Sequence, residues 1–155
     1  MKAKLDAIDW MILRELQDDG RMTNVELARR VGISAPPCLR RVRALEEAGI
    51  ILAYRALLDA PSLGYDLTAF AFIALASQAE PDLVAFEARV RGWPLVREAW
   101  MLSGETDFAL RCVAPNLRAF QSFVVDELTA APNVAGVRTA LTIRQTKNAP
   151  TVPIA

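Results

Sequence analysis

The repeat of apolar side chains changes partway along the chain, and this constrains the fold more than any single motif. Up to residue 50 apolar residues recur at helical spacing, every third or fourth position. From residue 67 onward, stretches rich in strand formers alternate with helical ones. A boundary falls at Asp59–Gly64, where Pro61, Ser62 and Gly64 interrupt both patterns. Neither a uniform helical bundle nor a single sheet accommodates such a chain. The expected class is α+β, with an N-terminal helical domain over 1–60 that includes a linker strand, and a second domain over 61–155.

In the first region Ile8, Ile12, Leu13 and Leu16 form a helical stripe after Asp6, a good N-cap, and this helix ends near Asp19-Gly20. Thr23 and Glu26 have capping-box spacing, so each is expected to satisfy the other's free amide at the start of a second helix, which stops at Gly32. A third helix starts at Ser34, tolerates Pro36 and Pro37 in its first turn, places Cys38, Val42 and Leu45 on one face, and ends at Gly49. The tight Val31-Gly32-Ile33-Ser34 connection makes the last two a helix-turn-helix in a winged-helix-like domain.

The second region reads as strand 67–77, helix 80–91, strands 95–103 and 106–113, a helix capped by Asn116 with Leu117, Phe120, Val124 and Leu128 inward, and strand 134–146. That β-α-β-β-α-β order is the ferredoxin-like unit. Strand 67–77 is apolar on both faces, with Leu67, Ala69, Ala71, Ile73 and Leu75 on one and Phe70, Phe72, Ala74 and Ala76 on the other. Helices cover only one face of such a sheet, so a second protomer is expected on the other. A stray apolar patch and cover by the N-terminal domain are the alternatives.

The 155 residues include no histidine, which excludes Ser-His-Asp and Cys-His nucleophile systems and His-bearing zinc sites. Cys38 and Cys112 form no CxxC pair and read as buried free thiols. No P-loop, GxGxxG or metal spacing is present, so no cofactor, metal or enzymatic activity is expected. The longest apolar run, Ala69–Ala76, is too short for a bilayer and the first dozen residues lack the apolar core of a signal peptide, so a cytoplasmic location is expected. Eighteen Lys+Arg balance eighteen Asp+Glu, yet six arginines and one acid, Glu26, fall between Arg21 and Arg43, a local charge of +5.

That block makes double-stranded DNA the expected partner. Arg40 and Arg43 share a face of the third helix, Arg41 is adjacent, and arginines there contact phosphate or bind guanine in bidentate fashion. Ser34 and the free amides of the helix start suit a phosphate; Arg21, Asn24 and Pro37 complete the candidate DNA-facing set. Each arginine alone would read as solvated helix surface. The hairpin Ser103-Gly104-Glu105-Thr106-Asp107 is the second constellation: an ordinary glycine turn, or a loop whose amides take a carboxylate while its acid takes an ammonium. Trp10, Trp93 and Trp100 read as packing residues, and adjacent acids such as Asp18-Asp19 as solvated charge.

The run Leu5-Asp6-Ala7-Ile8-Asp9, Asp19-Gly20-Arg21, Glu26-Leu27-Ala28, Val31-Gly32-Ile33-Ser34, Cys38 to Glu46 and Gly49-Ile50-Ile51 resembles the N-terminal domain of the Lrp/AsnC, or feast/famine, transcriptional regulators. Ser103-Gly104, Asp107-Phe108 and Pro132-Asn133-Val134 resemble that family's amino-acid-sensing domain; the resemblance covers residues 4–146. It implies a homodimer formed through the βαββαβ domain, assembly to tetramers or octamers, and a small effector, usually an amino acid, in clefts between dimers. By position in the family pattern, the cleft would be lined by Met101, Ser103, Gly104, Thr106, Asp107, Leu117, Ala140, Leu141 and Thr142. A nucleoid-type architectural protein of this fold, and a ligand-binding or metabolic domain with a vestigial helix-turn-helix, are the alternatives.

Overall fold

The computed structural model describes residues 4–149 and 152–154. They form two compact units: the chain up to Leu57 together with the tail from Lys147, and Leu58–Thr146. The tail therefore departs from the expected 61–155 domain. Gln17 holds it to the first unit, its Nε2 donating to the Val152 carbonyl (2.8 Å) and its Oε1 accepting from the Val152 N–H (2.9 Å).

The first unit contains α1 (Ala7–Asp18), α2 (Asn24–Arg30) and α3 (Ala35–Glu47). A reciprocal capping box starts α1: the Asp9 N–H donates to Asp6 Oδ1 (3.0 Å) and the Asp6 N–H to Asp9 Oδ2 (3.1 Å). The box expected at α2 is only half formed. Thr23 Oγ1 accepts from the Glu26 N–H, but the Glu26 carboxylate turns forward to Arg29 and Arg30, two cations that outcompete a single backbone amide. Helix α2 closes in a Schellman turn, with the Ile33 N–H on the Ala28 carbonyl and the Gly32 N–H on that of Arg29. Gly32 has φ 74°, which an L side chain resists, so glycine sets the bend between α2 and α3. Ile12, Leu27, Ala28, Val31, Cys38 and Leu45 form the core. The expected linker strand does not form: residues 52–58 have no ladder partner, and Leu52, Leu57 and Leu58 are exposed.

The second unit contains β1 (Leu67–Leu75), α4 (Glu80–Gly92), β2 (Val96–Met101), β3 (Phe108–Ala114), α5 (Leu117–Phe123, continued by a π-helical turn to Leu128) and β4 (Val134–Leu141). The strands form one sheet in the order β2-β3-β1-β4, with every neighbouring pair antiparallel. Strand β4 stops at Leu141, opposite Ala69, rather than at 146; beyond it Thr142 still donates to the Thr68 carbonyl, near the start of β1 at Leu67. Ala69, Ala71, Ile73 and Leu75 join Phe108, Leu110 and Cys112 beneath Phe86 and Val90 of α4 and Phe120 and Phe123 of α5. Leu117, expected inward, is exposed, and Phe123 is buried instead. Of the three tryptophans only Trp93 packs in a core; Trp10 and Trp100 are about half exposed.

Phe70 and Phe72 belong to neither core. They face the other side of the sheet, in register with Arg111 and Ala140, and with Ala109 and Arg138. The second apolar face read from the sequence is therefore present, and the helices of its own unit do not cover it.

Phe86 fills the space between Trp93 and Phe108, with ring centroids 5.9 and 4.8 Å away. Phe86→Ala is expected to lower unfolding stability by about 3–5 kcal/mol in urea titrations; a change below about 1 kcal/mol would place the core elsewhere.

Candidate DNA-contact helix and ligand hairpin

At 100° per residue, Pro36, Leu39, Arg40, Arg43, Ala44 and Glu47 fall on one face of α3. All six are exposed, and they line a shallow concavity of about 510 Å³. Among the described residues no carboxylate lies within ion-pair distance of Arg40, Arg43 or Arg21. The Ser34 hydroxyl makes no cap bond to the start of α3.

Three members of the expected DNA-facing set are placed differently. Asn24 Nδ2 donates to the Ala35 carbonyl (2.8 Å), so its amide joins the start of α2 to the start of α3, and its Oδ1 is buried without a partner. Pro37 is half-buried and lies roughly a quarter-turn off the exposed face. Arg41 lies about 130° from the centre of that face. Its Nη1 donates to Asp6 Oδ2 (2.8 Å) and Asp9 Oδ1 (2.7 Å), an internal link from α3 to α1. Pro36, Leu39 and Ala44 were missed, although helical spacing from Arg40 and Arg43 would have found them.

In the second unit the hairpin is anchored through Asp107. Its Oδ2 accepts from the Leu75 N–H (2.6 Å), its own N–H donates to the Ile73 carbonyl (2.8 Å), and its carbonyl accepts from the Leu102 N–H (2.8 Å). One oxygen of the expected ammonium-binding acid is thus already bonded within the chain. Gly104 has φ 141° and lies with Ser103 at the exposed tip.

The expected effector residues do not form one site within a single chain. Met101, Ser103, Gly104, Thr106 and Asp107 lie where β1 ends. Ala140 and Leu141 pair with Phe70 and Ala69 where β1 begins, and Thr142 donates from its N–H and Oγ1 to the Thr68 carbonyl. Leu117 lies at that same end, just after Ala114, which pairs with Leu67. Seven strand steps separate Thr68 from Leu75, roughly 23 Å. A hollow of about 240 Å³ between α4 and β2 is lined by Glu87, Val90, Arg91, Ala99, Met101 and Phe108. Of these only Met101 was anticipated, because periodicity carries no information on which helix meets which strand edge.

A helix-turn-helix with a cationic exposed face, joined to a ferredoxin-like domain, defines a DNA-binding regulator with an attached sensory domain. Comparisons with known proteins agree. Residues 5–51 match the winged helix-turn-helix DNA-binding model and residues 68–152 the Lrp/AsnC ligand binding domain model. The leucine-responsive regulatory protein of Rhizobium meliloti is 67% identical over 154 residues, 99% of both chains. The Bkd operon transcriptional regulator of Pseudomonas aeruginosa is 41% identical, over 92% of this chain and 93% of the relative. A Neisseria meningitidis transcriptional regulator solved as its L-Met complex superposes with a TM-score of 0.92 at 39% identity, over 97% of each chain. The chain belongs to the Lrp/AsnC family of transcriptional regulators, with a helix-turn-helix DNA-binding domain and a ligand-binding domain. No helix among the described residues is long and apolar enough to cross a membrane.

The ion pairs of the first unit give a pH test. Bonds from Arg29 and Arg30 hold the Glu26 carboxyl down at about 2, against an ordinary 4.5. The Asp9 amide and then Arg41 hold Asp6 below its ordinary value. A depressed carboxylate stabilises the fold above its unfolded pKa, and that stabilisation is lost as pH falls through the folded one. The melting temperature followed by helix circular dichroism is expected to drop between pH 4.5 and 2, and Glu26→Gln to reduce the drop. An identical profile for the variant would assign the acid response to other groups.

Proposed function

We propose that this chain is a cytoplasmic, sequence-specific regulator without enzymatic activity, whose response to an amino acid depends on sites completed between copies of itself. The observation that carries this reading is the separation of the candidate effector residues onto opposite ends of the sheet. A single chain offers either the Ser103–Asp107 hairpin or the Leu117 and Ala140–Thr142 end, and a cleft between dimers brings one of each together. The half-buried apolar face at Phe70 and Phe72, which the helices of its own unit do not cover, supports a homodimer as the building block, with tetramers or octamers built from it. The L-Met bound by the Neisseria regulator, and the leucine response named for the Rhizobium relative, support an apolar amino acid as effector. Within each dimer two copies of α3 enter successive major grooves about one helical turn apart, with Arg40 and Arg43 facing the bases and Arg21 and Ser34 facing phosphates. Effector binding shifts the population of assembly states that present these heads differently.

Two experiments test this. Ser103→Arg and Thr142→Arg each block one half of the cleft, so each pure variant is expected to lose the thermal shift produced by millimolar L-Met or L-Leu. Co-assembled oligomers of the two variants are expected to regain part of the shift, because some clefts then receive two intact halves. Loss of the shift in the mixture as well would place the site within one chain. Separately, Arg40→Ala is expected to weaken binding to a DNA site selected from a random library by about 1–3 kcal/mol, with a smaller loss on random DNA. Equal losses on both would make Arg40 a phosphate contact.

A further inference from the structure

Three of the six arginines in the +5 block of the first unit, Arg29, Arg30 and Arg41, are paired with acids, and they are held in different ways. Glu26 takes Arg29 at 2.6 Å and Arg30 at 2.8 Å, and Arg30 also meets Glu15 at 3.1 Å. These are pairs on exposed helix surface, which phosphate competes for readily. Arg41 is held differently. Each carboxylate of the α1 capping box uses one oxygen on the other's backbone N–H and its second oxygen on Arg41. All four oxygens are engaged; Asp9 is only 15% exposed and Arg41 32%, while Asp6 is 52% exposed, so the distinction lies in the fully used carboxylates more than in burial. Both carboxylates therefore have fixed orientations before Arg41 arrives, so little rotamer entropy opposes the grip. The same bonds tie α3 to the first turn of α1.

We propose that the Asp6–Asp9 capping box is a charge lock on the DNA-binding head. It withholds Arg41 from DNA phosphates, while Arg21, Arg40 and Arg43 stay free of acidic partners and Arg29 and Arg30 remain open to exchange, and it thereby limits how strongly the protein binds DNA regardless of sequence. This rests on the reading of α3 as the DNA-contact helix. Arg41 lies on the α1 side of α3, about 130° from the centre of the exposed face, so its long side chain can swing round toward the phosphate wall of a groove only when both acids release it. Released, it adds a sequence-independent contact in each head. Bound, it contributes to the internal structure, and the Arg41, Asp6 and Asp9 cluster carries a net charge of −1.

The test is the salt dependence of binding to random duplex DNA by the full-length protein. Asp6→Asn keeps an N-cap of equal quality, and Asp9→Asn keeps an acceptor for the Asp6 amide, so both variants remain folded by circular dichroism while losing one charge of the lock. Each is expected to bind random DNA several-fold more tightly at 0.1 M salt and to steepen the plot of log K against log salt by about 0.9 for every head bound. Placing Arg41→Gln in either variant is expected to return the slope to the wild-type value. Arg41→Gln alone is expected to lower the melting temperature and leave the slope unchanged. An unchanged slope in Asp6→Asn and Asp9→Asn, or a steepened slope that survives Arg41→Gln, overturns the proposal; the second result would mean that the acids act by repelling DNA directly. Arg40→Ala in the same assay separates the two readings: no effect of that variant would remove α3 from the interface altogether, whereas a loss with no change on unlocking would refute the lock alone.

Discussion

A strand that is apolar on both faces cannot be satisfied by a two-layer domain, and β1 is such a strand. It lies between β3 and β4, so its position fixes the sheet order. Its inner face, Ala69, Ala71, Ile73 and Leu75, has small residues at two of four places, which lets the aromatic residues of α4 and α5 approach closely. Its outer face presents Phe70 and Phe72 between cationic neighbours, Arg111 and Arg138. Arg111 is already engaged by Glu98 at 2.6 Å, so the patch is less repulsive than its arginines suggest. Apolar centre and polar rim are what a protein–protein contact requires. The same strand also sets the length of the sheet and so the separation of the two groups of candidate effector residues. In the proposed assembly, one strand dictates both that copies must meet and that the ligand site is completed by their meeting.

The first unit shows how proximity in sequence differs from availability. Arg40, Arg41 and Arg43 are near neighbours in the chain, yet a 100° step per residue sends Arg41 back toward α1 while the other two stay exposed. Acids outside the block, Asp6, Asp9 and Glu15, supply its counter-charges from α1. The zero net charge of the chain is thus partly realised as local pairing around the DNA-binding helices, and the arginines left free of acidic partners are few: Arg40 and Arg43 on one face of α3, and Arg21 before α2.

Much of this was legible in the sequence because it depends on local rules. Helix starts at Asp6, Thr23 and Asn116, the turn at Gly32 and the alternation along 67–75 follow from capping, φ and pleat, and each forms as expected. The departures all involve competition or long range. Glu26 had two kinds of partner available, and the spacing of Thr23 and Glu26 could not reveal that Arg29 and Arg30 would win. Leu117 and Phe123 are both compatible with a buried helix face, and only the direction in which α5 crosses the sheet decides between them. The end of β4 falls opposite Ala69, some 70 residues earlier in the chain, and the fate of Arg41 is set by two acids more than 30 residues away. The hairpin was recognisable as a unit, but its separation from Thr142 required the register of the whole sheet.

In the proposed assembly, few DNA-facing cations per head and a two-chain ligand site have a common consequence. A head with only three arginines free of acidic partners would supply a modest electrostatic contribution, so in that assembly tight binding would come from joining heads at fixed separation. Linking converts the second contact into an intramolecular one and raises avidity by about 10²–10⁴ without any new interaction, but only where the geometry lets both heads engage. Strong heads would make this gain superfluous, since each would remain bound alone and assembly state would matter little. Weak heads make occupancy depend steeply on how many are joined and how they are spaced. A ligand that binds between copies acts on that same quantity, because its differential affinity for assembly states is what shifts their populations. On this reading, restraint of charge in the first unit is the condition under which a small molecule bound in the second can control DNA occupancy.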